Sequence, residues 1–202
     1  MGNGASASFE SALPAIPDTE FTVCAILLKR MGIRVVVFGF ENTVLVMPPD
    51  LRQQLRLGHH WALNQYTEPA RRSMVMTMAQ NIPDTVCTFM VSLITQGITV
   101  VLLAEHSDAR NGEVTSSEGK SGFLYEGGSV MRRVMDERLG PEIAKFVHIE
   151  DSGSVSEALR KFEVRHKSEA LLVHSDPDMV RRARKQHMGG ILIEDHALGF
   201  RL

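Results

Sequence analysis

Neither a cysteine framework nor an excess of one charge is available to this chain. Its 202 residues include two cysteines, Cys24 and Cys87, each inside an apolar run (FTVCAILL and DTVCTFMV). Neither stands in CxxC or Cys/His spacing, which argues against a thiolate zinc site and a disulfide-stapled scaffold. The runs read as buried thiols of a reducing compartment, with a disulfide as the alternative. The formal net charge is −2, so nothing draws the whole molecule to nucleic acid or anionic lipid, and no nucleic-acid partner is expected. No apolar run reaches the roughly 18 residues of a membrane span. The first residues also lack the basic region and apolar core of a secretory signal. A cytoplasmic location is the expectation.

What is present is ordinary for a globular protein: 44% apolar and 23% charged residues. The length suits one sizeable core better than two. Residues 1–18, rich in Gly, Ala, Ser and Pro, read as a flexible arm, and residues 19–202 as a single domain.

Thr19 to Met31 (TEFTVCAILLKRM) carries apolar residues at helical spacing and stops at Gly32, a helix C-terminal signal. IRVVVFGF follows, a near-continuous apolar run that predicts a strand buried on both faces. Pro48-Pro49-Asp50 opens a polar helix to about Tyr66; a helix from Pro83 to Gln96 ends at Gly97, and ITVVLLA (98–104) is a second buried strand. Residues 105–127, polar and rich in Gly and Ser, read as a long loop. Then come SVMRRVMDERLG as a helix closed by Gly140, KFVHI as a short strand, and SVSEALRKF as a helix begun by a serine cap. EALLVH (169–174) is a strand, DPDMVRRARKQH a helix and GGILIE a last strand. Five apolar strands separated by helices predict an α/β fold, a doubly wound, Rossmann-like parallel sheet with helices on both faces.

Ligands of such sheets bind beyond the carboxyl ends of the strands. Three clusters fall there: Gly39 to Thr43, Glu105 to Asp108, and His174 to Asp178. In this order, over about residues 20–195, they resemble the motif pattern of the haloacid dehalogenase-like (HAD) superfamily. That family's first motif is an apolar strand, Asp-x-Asp-x-Thr and an apolar pair; the same frame here reads Gly39-Phe40-Glu41-Asn42-Thr43-Val44-Leu45. Its last motif is an apolar strand, one or two aspartates, and a helix with an Ala and a Gly before the final strand. LLVHSDPDMVRRARKQHMGGILI fits that frame, with Ser175 where the principal metal-binding Asp belongs, His174 before it and Met179 at the later acidic position.

The frame is kept and its chemical letters are changed. By the resemblance, the first Asp is both nucleophile and Mg²⁺ ligand, so Gly39 removes two functions together. Glu41 stands at the general acid/base position, one methylene longer than Asp. The second motif's Ser or Thr is replaced by Ala104 or Glu105, with Ser107 as a distant substitute, and the third motif's Lys has only Lys161 or Lys167, both displaced. Phosphoryl transfer rests on positioning and on cancelling charge over the transferred oxygens, and Mg²⁺ needs hard oxygen ligands in near-octahedral geometry. With Gly39 and Ser175 in place of carboxylates, the residues hold no anionic pair for it. Removing a nucleophile alone can cost on the order of a millionfold. The expectation is a catalytically silent domain without metal or cofactor, its remnant motif positions being Gly39, Glu41, Thr43, Glu105, His174, Ser175 and Asp176. The alternative is a divergent phosphatase acting on a macromolecular or small phosphate ester.

Other letters admit plainer readings. Asp176 is a metal ligand only if the register slips by one residue; Asp-Pro-Asp before an amphipathic helix otherwise reads as a cap. Adjacent His174-Ser175-Asp176 and Glu105-His106-Ser107-Asp108 contain triad letters, but triads assemble from separated segments. Glu41 and Thr43 either satisfy a tight turn or retain function. VRRARKQH (180–187) is a solvated basic face or a phosphate- or lipid-binding one. His59-His60-Trp61 lacks a partner at ligand spacing and reads as packing and surface.

The opening MGNGAS fits Met-Gly-x-x-x-Ser, the N-myristoylation pattern, with Gly2 as the acceptor; a chance match is the alternative. The spacing between the motifs leaves no room for a large cap. By the resemblance, a capless, open site suits macromolecular partners. The expected function is therefore binding or scaffolding with a protein partner, at the cytoplasmic face of a membrane through the acyl chain.

Overall fold

Runs of Val, Leu and Ile that cannot face water become the central strands of a parallel sheet. The computed structural model describes residues 20–46, 68–103, 113–115, 121–123, 130–150 and 154–193. Helix α1 (Glu20–Arg30) leads into β1 (Val35–Gly39). Helices α2 (Glu68–Gln80) and α3 (Asp84–Thr95) precede β2 (Thr99–Leu103). Helices α4 (Val130–Leu139) and α5 (Pro141–Ala144) precede β5 (Val147–Glu150), with the short strands β3 (Glu113–Thr115) and β4 (Ser121–Phe123) between β2 and α4. Helix α6 (Val155–Lys161), β6 (Ala170–His174), α7 (Pro177–Lys185) and β7 (Gly189–Leu192) complete the order.

The five main strands are parallel and ordered β5-β2-β1-β6-β7. The chain builds outward from β1 through β2 to β5, returns to the other side of β1 as β6, and builds outward again to β7. The reversal falls between β1 and β6, where Val35 pairs with Ala170 and Phe38 with Val173. This is a doubly wound, Rossmann-like α/β sheet with its switch point at β1/β6.

Alternation along β1 divides the core between the two faces. Val36 and Phe38 join Ala25 of α1, Met78 of α2, Phe89 and Leu93 of α3, and Met131 and Met135 of α4. Phe38 meets the Phe89 ring edge-on at 6.0 Å, and Phe21 stands 5.9 Å from the same ring. Val35 and Val37 face the other way, toward Ala158 and Leu159 of α6 and Ala183 of α7. Both cysteines are free and only partly buried, packed against the first of these clusters.

Two glycines stop helices by the same device. Gly32 (φ 84°) and Gly97 (φ 72°) adopt a left-handed conformation that a Cβ disfavours. The following amides fold back onto the last turn, Ile33 N to Leu28 O and Ile98 N to Leu93 O, both at 3.0 Å. Starts are equally local: Ser154 Oγ accepts from the Glu157 N–H, and Asp176 Oδ1 accepts from the Asp178 N–H at 2.8 Å.

Three elements depart from the sequence expectations. The stretch 105–127, read as a loop, contains the antiparallel pair β3/β4, with Val114 opposite Gly122. Helix α2 is an element not expected from the sequence, and the polar helix expected from Pro48 to about Tyr66 lies outside the described residues. Helix α5 is a single extra turn begun by Pro141.

Candidate functional site

The carboxyl ends of β1 and β6 meet at the switch point, and the sequence there forces a turn of unusual width. The Phe40 N–H still completes the ladder to Leu103 O at 2.7 Å. The chain then closes one wide turn, with Val44 N donating to Phe40 O (3.1 Å) and Leu45 N to the same oxygen (2.8 Å). Asn42 takes the left-handed position at φ 56°, which Asn tolerates better than most residues. Phe40, Val44 and Leu45 are fully buried. The turn is therefore held by the core, and the polar residues of the motif are held by the turn.

Thr43 ties this turn to the end of β6. Its Oγ1 accepts from the Ser175 N–H at 2.9 Å and donates to Ser175 Oγ at 3.2 Å. Two segments separated by 132 residues in sequence are thus joined by one buried hydroxyl. Next to it, His174 is 5% exposed, and its Nδ1 accepts from the Asp176 N–H at 2.9 Å. An acceptor at Nδ1 leaves the proton of the neutral ring on Nε2.

The far edge of that ring lies against Gly39. A Cβ built on Gly39 would stand 2.5 Å from His174 Cδ2, 2.7 Å from Nε2 and 3.1 Å from Thr43 Oγ1. Those separations are below van der Waals contact, so the imidazole and a side chain at position 39 cannot coexist without rearrangement. The space beside the end of β1 is filled by the histidine ring.

Of the sequence candidates, Gly39, Thr43, His174 and Ser175 come together here. Glu41 is buried in the same turn. Asp176 is the N-cap of α7, which is the role its Asp-Pro-Asp context suggests. Met179 packs against the cluster beneath α6 and α7. Lys167 donates to Gln186 Oε1 at 2.6 Å before β6 begins, at the opposite end of that strand from the site. Lys161 stands 4.0 Å from Glu150 at the end of β5, two strands away from β1. Glu150, buried at the sheet's carboxyl edge, was not a sequence candidate; the acidic pair that follows VHI is the signal that marks it. Gly2, Ala104, Glu105, Ser107 and the His59-His60-Trp61 run lie outside the described residues.

Among the described residues, no group of three or more His, Cys, Asp or Glu side chains is arranged to hold a metal ion. Nor is any helix there long and apolar enough to cross a membrane. A cavity of about 260 Å³, lined by Lys29, Arg34 and Phe162 among others, lies at the amino ends of β1 and β2, the opposite end of β1 from the switch point. The fold and the site together define a Rossmann-like doubly wound α/β domain. Comparison with protein-family models, with characterised proteins and with solved structures gave no match.

Proposed function

We propose that this is a catalytically silent HAD-type domain that acts by binding a protein partner, held at a membrane by an acyl chain on Gly2. The observation that carries the first half is the His174 ring against Gly39. In the resembling family the residue at position 39 is the attacking carboxylate and a metal ligand. A ring 2.5 Å from the nearest side-chain position leaves that carboxylate no room. Thr43 supports the same reading, since its hydroxyl is engaged by Ser175. Charge cancellation over a transferred phosphoryl group needs a preorganised set of cations and oxygens. Among the described residues, those gathered at the switch point are Gly39, Thr43, His174 and Ser175, with the buried Glu41.

Glu41 keeps the second reading alive, because a carboxyl remains at the general acid/base position. A thermal-shift titration with Mg²⁺ separates the two. A cation bound at a hundred times its Kd adds about 2.7 kcal/mol, which would be plain in the melting temperature. The silent domain gives no shift at millimolar Mg²⁺; a saturable shift lost in Glu41→Gln favours the phosphatase. The membrane half is tested by fractionation: Gly2→Ala moves the protein to the cytosol, and an unmodified Gly2 in intact mass spectra of cell-derived protein removes it.

A further inference from the structure

One myristoyl chain gives only marginal, reversible membrane binding, with a partition constant of about 10⁴ M⁻¹, so stable attachment needs a second signal. Helix α7 supplies basic residues, but two of them are already engaged. Arg184 donates twice to Gly190 O, at 2.7 and 3.2 Å, and Arg181 pairs with Asp178 at 3.0 Å.

Helix α1 offers a different surface. Its inner face, with Phe21, Cys24, Ala25 and Leu28, packs on the core. Another face carries Val23 and Leu27 and continues to Met31 just past the helix end, spaced i, i+4 and i+8 and left 53%, 51% and 74% exposed. They form one stripe of about 12 Å along the axis. Arg30, exposed and three residues beyond Leu27, flanks it at one end, and Glu20, exposed and three residues before Val23, at the other. The stripe presents about 300 Å² of surface, well short of the roughly 800 Å² per partner of a stable protein interface. It is, however, the size at which a surface patch on a monomer often has a function. Helix α1 begins at Glu20, and a chain from Gly2 to that point spans at most about 60 Å. Acyl chain and stripe can therefore reach one leaflet.

Resting on the acylation reading above, we infer that the Val23–Leu27–Met31 stripe lies in the interface of an anionic bilayer beside the acyl chain, with Arg30 at headgroup level, and is the second membrane signal. Each half-exposed apolar side chain adds its own transfer from water. Arg30 adds attraction to anionic lipid that salt screens.

The test uses the full chain, co-expressed with an N-myristoyltransferase and sedimented with vesicles of phosphatidylcholine containing phosphatidylserine. The triple substitution Val23→Gln/Leu27→Gln/Met31→Gln lowers partitioning about tenfold or more, with unchanged circular dichroism because these side chains face solvent. Leu27→Glu alone, at a single exposed position, gives a loss of the same sign and carries the test if the triple variant misfolds. Undiminished binding of the acylated variants overturns the inference and leaves acylation standing. If the transferase leaves Gly2 unmodified, the acylation reading fails by itself. The stripe is then read from the unmodified chain, where partitioning that is absent, or indifferent to Leu27→Glu, overturns the inference. Concentration-dependent dimerisation abolished by Leu27→Glu would assign the stripe to a second copy and also overturn it.

Discussion

Replacing Gly39 by alanine adds one methyl group where the His174 ring already stands. The new Cβ would sit 2.5 Å from Cδ2 and 2.7 Å from Nε2, and 3.1 Å from Thr43 Oγ1. Either the ring moves or the end of β1 moves, and β1 is the central strand, paired on both sides. Overpacking of this kind costs about 1–3 kcal/mol. A ring pushed aside also forfeits the bond its Nδ1 accepts from the Asp176 N–H, about 1 kcal/mol more. Against this, alanine restricts the unfolded chain and returns about 0.4–1 kcal/mol. The net expectation is a loss of about 1–3 kcal/mol in urea unfolding, read from the midpoint at unchanged m. His174→Ala alone leaves a cavity and an amide without its acceptor, costing about 2 kcal/mol. In the double variant the alanine at 39 no longer meets the ring, so the two losses are less than additive by about 1–2 kcal/mol. Additive losses, or a neutral Gly39→Ala, would refute the idea that imidazole and side chain compete for one space.

Other perturbations probe neighbouring parts of the account. Asp176→Ala removes the side-chain acceptor for the Asp178 N–H and should destabilise the fold by about 1 kcal/mol, measured in the same unfolding assay. His148 is held below its ordinary value by partial burial of its ring, and further by Lys161 and Arg132. The unfolded chain therefore takes up this proton first. Stability from this source is complete above about pH 6.5 and falls as pH drops toward the lowered folded value, so His148→Gln should flatten the acid side of the stability curve.

Much of the fold was legible because its signals are local. The VVVFG, TVVLL and ALLVH runs are strands that hide every apolar side chain they carry. Gly32, Gly97, Ser154 and Asp176 mark helix ends through bonds reaching only a few residues. The misses have equally physical causes. Helix α2 (EPARRSMVMTMAQ) is polar over its first turns, and the residues it buries, Val75, Met78 and Ala79, come late. The pair β3/β4 consists of three-residue strands in a Gly- and Ser-rich stretch, where pairing outweighs composition. The outward stripe on α1 was invisible because apolar spacing reports a helix without saying which of its apolar residues the core receives.

The site was half legible. The frame of the motifs put Gly39, Thr43, His174 and Ser175 at strand ends, and the sheet order brings those ends together. What no local pattern conveys is contact across 135 residues. Glycine at 39 reads as a loss from the sequence, and histidine at 174 reads as an ordinary substitution. Only in three dimensions do the two meet: with no Cβ at position 39, the ring lies where a side chain would stand.

Hydrolysis of a generic aryl phosphate by the purified full chain in Mg²⁺ decides whether the proposed HAD-type domain is catalytically silent. Wild type and Glu41→Gln should release product at the same background rate, since on the proposed HAD-type reading glycine takes the place of the nucleophile, a loss on the order of a millionfold that leaves nothing for Glu41 to assist. Turnover by the wild type that is abolished by Glu41→Gln would contradict the account and identify the switch point as a working phosphatase site.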